Sequence, residues 1–238
     1  MESSTSKRLP CCQSARSGAE DFPIRQDVGV TSSDSVFRIV VLASGRGTNL
    51  QAIIDQLHGR GSIEVVGVGS DKAEAFSLER ARAAKIETGV FTRERHGDRL
   101  VRDLAMADWI ESLSADLVVL AGYMQLVSPE FVTRFRGRIV NVHPALLPSF
   151  PGLDAIGQAV EHGARVTGVT VHFVDEGTDT GPIILQRAVE IEARWDREQL
   201  EQAVHSIEHE IYPEAISMIS EGRVRIAADS PRQVIIDQ

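Results

Sequence analysis

From Val36 onward the chain alternates short β-branched runs with stretches of helical periodicity: FRIVVLA, NLQAIIDQL, IEVVGVG, AEAFSLERARAA, LVRDLAMADWIESL, DLVVLAG and RIVNV follow one another. Strands separated by helices can pair in parallel, and a parallel sheet needs helices on its faces, so this alternation predicts a layered α/β arrangement. After Pro151 the pattern changes. A helix around Asp154 to Glu161 leads into VTGVTVHFV, which alternates cleanly, and a short Gly-rich loop connects it to IILQRAVEI. That pair predicts an antiparallel extension of the sheet.

The chain closes with an amphipathic helix that begins near Asp196. Asp196 and Gln199 have the spacing of a capping box, and Leu200, Val204, Ile207 and Ile211 form one apolar stripe. Tyr212-Pro213 is expected to kink or restart this helix, because proline has no N–H to donate. From about Ala227 the residues are polar enough to fray. The expected organisation is therefore a disordered N-terminal extension over 1–36, one folded domain over 37–226 and a tail over 227–238. The fold class is α/β, a Rossmann-like, mostly parallel sheet flanked by helices with an antiparallel C-terminal extension.

The extension is Ser-rich and carries Lys7, Arg8, Arg16 and Arg25 against Glu2, Glu20, Asp21, Asp27 and Asp34, with no secretory apolar run. Those acidic residues count against an organelle transit peptide. Cys11 and Cys12 are adjacent and fit neither a disulfide framework nor a zinc site, which points to a reducing, cytoplasmic compartment. A net charge of −9 argues against nucleic-acid or acidic-membrane partners, while a local site for a small anion stays open.

Arg138 to Pro151, RIVNVHPALLPSFP, delivers two polar side chains from the end of an apolar strand. Asn141 and His143 are two residues apart and so project to one side, just where Pro144 ends the strand. His143 can serve as general acid or base, with Asn141 donating to a developing oxyanion; a structural histidine at a strand end is the alternative. The acidic, Gly-rich segment Asp175 to Pro182 can set a carboxylate near His143 and favour its imidazolium, or can be a plain hairpin turn. Ser44 to Asn49, SGRGTN, follows a strand and opens a helix, which suits a phosphate or an ordinary tight turn. Leu50 occupies the third glycine's place of a dinucleotide fingerprint, so Asp71 reads poorly as a nicotinamide ribose ligand. His205-Ser206-Ile207-Glu208-His209 has H-x-x-E-H spacing, but no later helix supplies a third zinc ligand, and no metal is expected.

In order along the chain, VLASGRGTNLQAIID, SDKAEAFSLERA, LVVLAGYMQLVSPEF, NVHPALLPSFPG, VTVHFVDEGTDTGPIILQ and EHEIYP resemble the folate-dependent phosphoribosylglycinamide formyltransferases of de novo purine (IMP) biosynthesis. The resemblance runs from about Phe37 to Gly222. It implies a formyltransferase fold that passes the formyl group of 10-formyltetrahydrofolate to glycinamide ribonucleotide, with small-molecule substrates, no metal, and a monomer or homodimer. It implies Asn141, His143 and Asp179 as catalytic residues. Gly47, Thr48, Asn49 and Glu208 would hold the ribonucleotide. Arg99, Met124, Gln125, Leu126 and Val127, together with Asn141 and Asp175, Glu176, Gly177, Thr178 and Asp179, would hold the folate. Gln125 stands where relatives commonly carry arginine, which implies one positive contact fewer to the acidic folate tail.

A 10-formyltetrahydrofolate hydrolase shares this arrangement but usually carries a regulatory domain before the first strand. The methionyl-tRNA formyltransferases add a C-terminal domain for tRNA. A non-catalytic ligand-binding protein of the same fold, or a nicotinamide dehydrogenase, are the readings from other classes.

Overall fold

The computed structural model describes residues 36–238, so the N-terminal extension with Cys11 and Cys12 lies outside the described residues. Strands β1 (Phe37–Leu42), β2 (Ile63–Ser70), β3 (Glu87–Val90), β4 (Leu117–Leu120) and β5 (Ile139–His143) pair in parallel. Strands β6 (Val166–Phe173) and β7 (Ile183–Glu190) then join antiparallel, giving one seven-stranded sheet in the order β3-β2-β1-β4-β5-β6-β7. The expected extension is therefore present.

Alternation explains why β1 is apolar on both faces from Ile39 to Leu42. Ile39 and Val41 face α1 (Thr48–Leu57), α2 (Phe76–Ala83) and α7 (Arg197–Ser220), while Val40 and Leu42 face α4 (Arg99–Ser112) and α5 (Pro129–Arg134). A parallel strand covered by helices on both faces has no wet side. The short α3 (Arg93–His96) precedes α4, and α6 (Ala155–Glu161) is capped by the Asp154 carboxylate. Among the described residues no helix is long and apolar enough to cross a membrane.

Helix α7 opens with the expected capping box at Asp196 and Gln199, and it does not stop and restart at Pro213. It runs unbroken to Ser220. Proline at 213 leaves the carbonyl of His209 without its helical donor, and the Gln56 side chain on α1 supplies one at 2.9 Å. The fully buried Tyr212 adds a second fastening, its hydroxyl lying 2.9 and 3.0 Å from the carbonyls of Leu120 and Val140.

The tail expected over 227–238 also needs correction. Val224–Ala227 (β8) and Ser230–Ile236 (β9) form an antiparallel hairpin, and Val224, Ile226 and Val234 pack against the core. Ladder hydrogen bonds and three alternating apolar side chains order a segment whose composition is otherwise polar.

Reading outward from β1, the strand order runs one way to β2 and β3 and the other way to β4 and β5. The crevice at the carboxyl ends of β1 and β4 is thus a topological switch point, the usual ligand position of an open α/β sheet. Ser44 to Asn49 leave β1 there, Gly122 to Ser128 leave β4, and His143 ends β5 beside them.

Candidate active site

Strand β5 carries Asn141 and His143 on one side, as their spacing predicts. His143 is buried, and its Nε2 donates to the carbonyl of Phe150 at 2.8 Å. Its Nδ1 faces Asp179 Oδ2 at 3.4 Å. A carbonyl oxygen only accepts, so Nε2 carries a hydrogen, and the face turned to the carboxylate is attractive only when Nδ1 is protonated as well. Asp179 Oδ2 also accepts the Gly152 amide at 2.8 Å, which ties the carboxylate to the loop after β5.

Both sides of this contact rest on constrained backbone. Phe150 and Asp179 have φ of 52° and 54°, in the left-handed region that residues with a Cβ adopt at a cost. Asp179 sits in the Asp175 to Pro182 loop, which closes on itself: Asp175 Oδ1 accepts from the Gly177 amide at 3.0 Å and the Thr180 hydroxyl at 2.7 Å. Glu176 pairs with Arg136. At Gly181 a Cβ would lie 1.8 Å from the carbonyl oxygen of Phe173, so the loop can return to the sheet only through glycine.

The segment after β1 forms a cradle. Gly47 has φ of 69°, and a Cβ there would meet Ser77 Cβ at 2.8 Å. Helix α2 holds this turn through Ser77 N to Gly45 O at 3.0 Å and Arg80 Nε to Arg46 O at 2.8 Å. Helix α1 has no side-chain N-cap and no acidic residue in its first turn, so its free N–H groups and dipole favour an anion. Asn49 Nδ2 donates to Glu208 Oε2 at 2.9 Å, and its own Oδ1 is buried without a partner. Glu208 is buried and takes a second donor from His205 Nδ1 at 2.9 Å. That hydrogen bond holds the His205 imidazole above its ordinary range, whereas burial pushes His209 below it.

On the loop after β4, Met124 and Leu126 stand 61% and 64% exposed. The Met124 amide donates to Ser44 Oγ at 2.8 Å, and Arg99 Nη2 donates to the Val127 carbonyl. Arg99 is half exposed, with donors to spare.

A family model described as formyl transferase matches residues 37–216, which includes β1 through most of α7. The chain belongs to the formyl transferase family. It is similar to a phosphoribosylglycinamide formyltransferase of Haemophilus influenzae, 44% identical over 190 residues that span 79% of this chain and 90% of the relative. It is also similar to a trifunctional purine biosynthetic protein, adenosine-3, of Drosophila pseudoobscura pseudoobscura, 40% identical over 82% of this chain but spanning 15% of that protein's length. Among solved structures, glycinamide ribonucleotide transformylase 1 from Symbiobacterium toebii superposes with a TM-score of 0.81 at 47% identity, covering 85% of this chain and 95% of that one.

In this formyl transferase the structure brings together Asn141, His143 and Asp179, and separately Asn49 and Glu208. Arg99 reaches the Met124 to Val127 loop. Asp175 is engaged inside its own loop and Glu176 on Arg136.

The site also holds a residue that the sequence reading missed. His172 pairs across the sheet with Asn141, and its Nε2 lies 3.3 Å from Asn141 Nδ2 and 3.7 Å from Asp179 Oδ1. Its Nδ1 lies 2.8 Å from the Phe173 carbonyl, which fixes the hydrogen there and leaves a lone pair on Nε2 to receive the Asn141 amide. Desolvation pushes the His172 imidazole below its ordinary value and keeps it neutral for that task. The only sequence signal was a histidine at a polar position of the cleanly alternating VTVHF, where it reads as an ordinary strand residue.

Proposed function

We propose that this formyl transferase moves the formyl group of 10-formyltetrahydrofolate to the amine of 5-phosphoribosylglycinamide, a step of de novo purine (IMP) biosynthesis that yields formylglycinamide ribonucleotide and tetrahydrofolate. The observation that carries the reading is the His143–Asp179 pair beside Asn141, close in the sheet to an uncapped helix N-terminus. Transfer to an amine of a phosphorylated molecule needs a proton-handling group and an anion cradle together. Relatives named for this reaction support the same reading.

In the proposed mechanism the N–H groups at Gly47 and Thr48 and the side chain of Asn49 receive the phosphate, and Glu208 helps hold the sugar end. Met124 to Val127 and Asp175 to Asp179 line the folate pocket, where the exposed Met124 and Leu126 suit a flat ring system and Arg99 an acidic tail. The amine attacks the formyl carbon. Charge on the formyl oxygen is met by the second Asn141 amide hydrogen, the first being engaged with His172, and by the imidazolium of His143. For that, His143 Nε2 exchanges the Phe150 carbonyl for the oxyanion. As the bond from the formyl carbon to the folate nitrogen breaks, His143 gives its proton to the departing nitrogen and regains the one that the attacking amine loses, with Asp179 holding the opposite ring nitrogen. No covalent enzyme intermediate is required. The substrates are small molecules and the location is cytoplasmic.

The test is tetrahydrofolate release from 10-formyltetrahydrofolate with and without glycinamide ribonucleotide. Ribonucleotide-dependent release is expected. Release in its absence would make the protein a hydrolase, and none in either tube a non-catalytic binding protein. His143→Ala should lower kcat by at least roughly a hundredfold with little change in KM.

A further inference from the structure

Two charged neighbours on α4, Arg102 and Asp103, are buried at 5% and 0% exposure, away from His143. Residues one apart on a helix normally do not face each other. Here both turn under the loop that follows β4. Arg102 Nε and Nη2 sit on Asp103 Oδ1 at 2.8 and 2.7 Å. The remaining donors reach the loop, Nη1 to Gln125 Oε1 at 3.3 Å and Nη2 to the Leu126 carbonyl at 3.4 Å. Asp103 Oδ2 accepts the Ser128 amide at 2.6 Å and lies 3.9 Å from Arg99 Nε. Arg99 in turn donates to Val127.

Four consecutive residues, Gln125 to Ser128, are each fastened to α4 through this cluster. Burying two charges is costly, and an apolar pair of similar volume would fill the space at least as stably. What an apolar pair cannot do is fix a loop's register: a guanidinium fork has set directions, whereas hydrophobic contact has none. The fastened segment is also the one that holds Leu126 out toward solvent.

We infer that the Arg102–Asp103 pair is the positioning device of the folate loop, setting how tightly the formyl donor binds without touching it and without acting on the ribonucleotide cradle. The identity of the bound donor rests on the proposed function; the fastening of the loop does not.

The experiment measures both KM values, kcat and amide hydrogen exchange for the wild-type protein and for Arg102→Met, Arg102→Lys and Asp103→Asn. Arg102→Met should raise KM for 10-formyltetrahydrofolate about tenfold, because a loop held loosely must be ordered on binding. KM for glycinamide ribonucleotide and kcat should stay within about twofold by the same reasoning. Arg102→Lys should fall between, since an ammonium can satisfy Asp103 but cannot also span Gln125 and Leu126. Exchange at the Ser128 amide should quicken in Arg102→Met while the amides of β1 and β4 keep their protection.

An unchanged folate KM in both Arg102→Met and Asp103→Asn overturns the inference. So does a parallel loss in both KM values and kcat, which would mean a structural role only. Should Arg102→Met fail to fold, Arg102→Lys carries the same test with a smaller shift. If the wild-type protein turns over neither substrate, the functional reading fails by itself, and Ser128 exchange still decides: quickening confined to the loop upholds the device, and no change removes it.

Discussion

The histidine–carboxylate pairs His143–Asp179 and His205–Glu208 are built in opposite ways. In His143–Asp179 both side chains are shielded, at 5% and 13% exposure; they come from different elements, and the second histidine nitrogen is spent on a backbone carbonyl. In His205–Glu208 the partners are one turn apart on a single helix, with the carboxylate at 5% exposure and the histidine at 50%. The first pair is sealed from bulk water and leans on two left-handed residues, so it moves only if its loops move. The second is a buried carboxylate with a half-exposed imidazole attached. A sealed pair suits the transfer of a proton. A half-open pair suits the holding of charge beside Asn49.

Asp179→Asn should separate the two most sharply. It leaves a side chain of the same shape without the negative charge beside His143, so kcat should fall about a hundredfold or more while both KM values change little. Glu208→Gln should do the reverse. Losing a charged acceptor should raise KM for glycinamide ribonucleotide about tenfold, the scale of one charge-assisted hydrogen bond, at nearly constant kcat. Steady-state kinetics with each substrate varied in turn measures both. If the two variants lose kcat alike, the pairs do the same work despite their opposite construction.

How much of this was legible depended on whether a residue's partner lay nearby in the chain. Asn141 and His143 could be read because period two and Pro144 are local signals. The helix-opening turn at Gly47 was legible for the same reason. Asp179 was singled out only by the family resemblance; the residues alone gave an acidic loop, since its approach to His143 depends on how β6 and β7 pair. His172 was hidden by register: nothing in VTVHFV says that it lies opposite Asn141. Arg102 and Asp103 were hidden because charges on an amphipathic helix read as a solvated face, and it is a loop some two dozen residues later that covers them. The β8–β9 hairpin was hidden by polar composition, and the unbroken α7 by a donor on another helix, Gln56.

The smallest effect concerns pH, and there the half-open pair should show a sign that the sealed region does not share. Hydrogen bonding to Glu208 raises the His205 imidazole above 6.5 in the folded state. Below about pH 6.5 the folded and unfolded chains both hold that proton, and the stabilisation is fully present. As pH climbs through the raised folded value the proton leaves and the stabilisation goes with it. His172 behaves oppositely, because burial lowers its imidazole: on acidification below 6.5 the unfolded chain takes the proton first, and stability is lost. His205→Gln should therefore cost less than about 1 kcal/mol near pH 6 and almost nothing near pH 9, the small size following from solvent screening of a half-exposed group. Urea unfolding midpoints at both pH values give the difference. Curves for the wild type and His205→Gln that stay parallel across this range would mean that Asn49 alone satisfies Glu208, and that the second pair is only an accident of helix spacing.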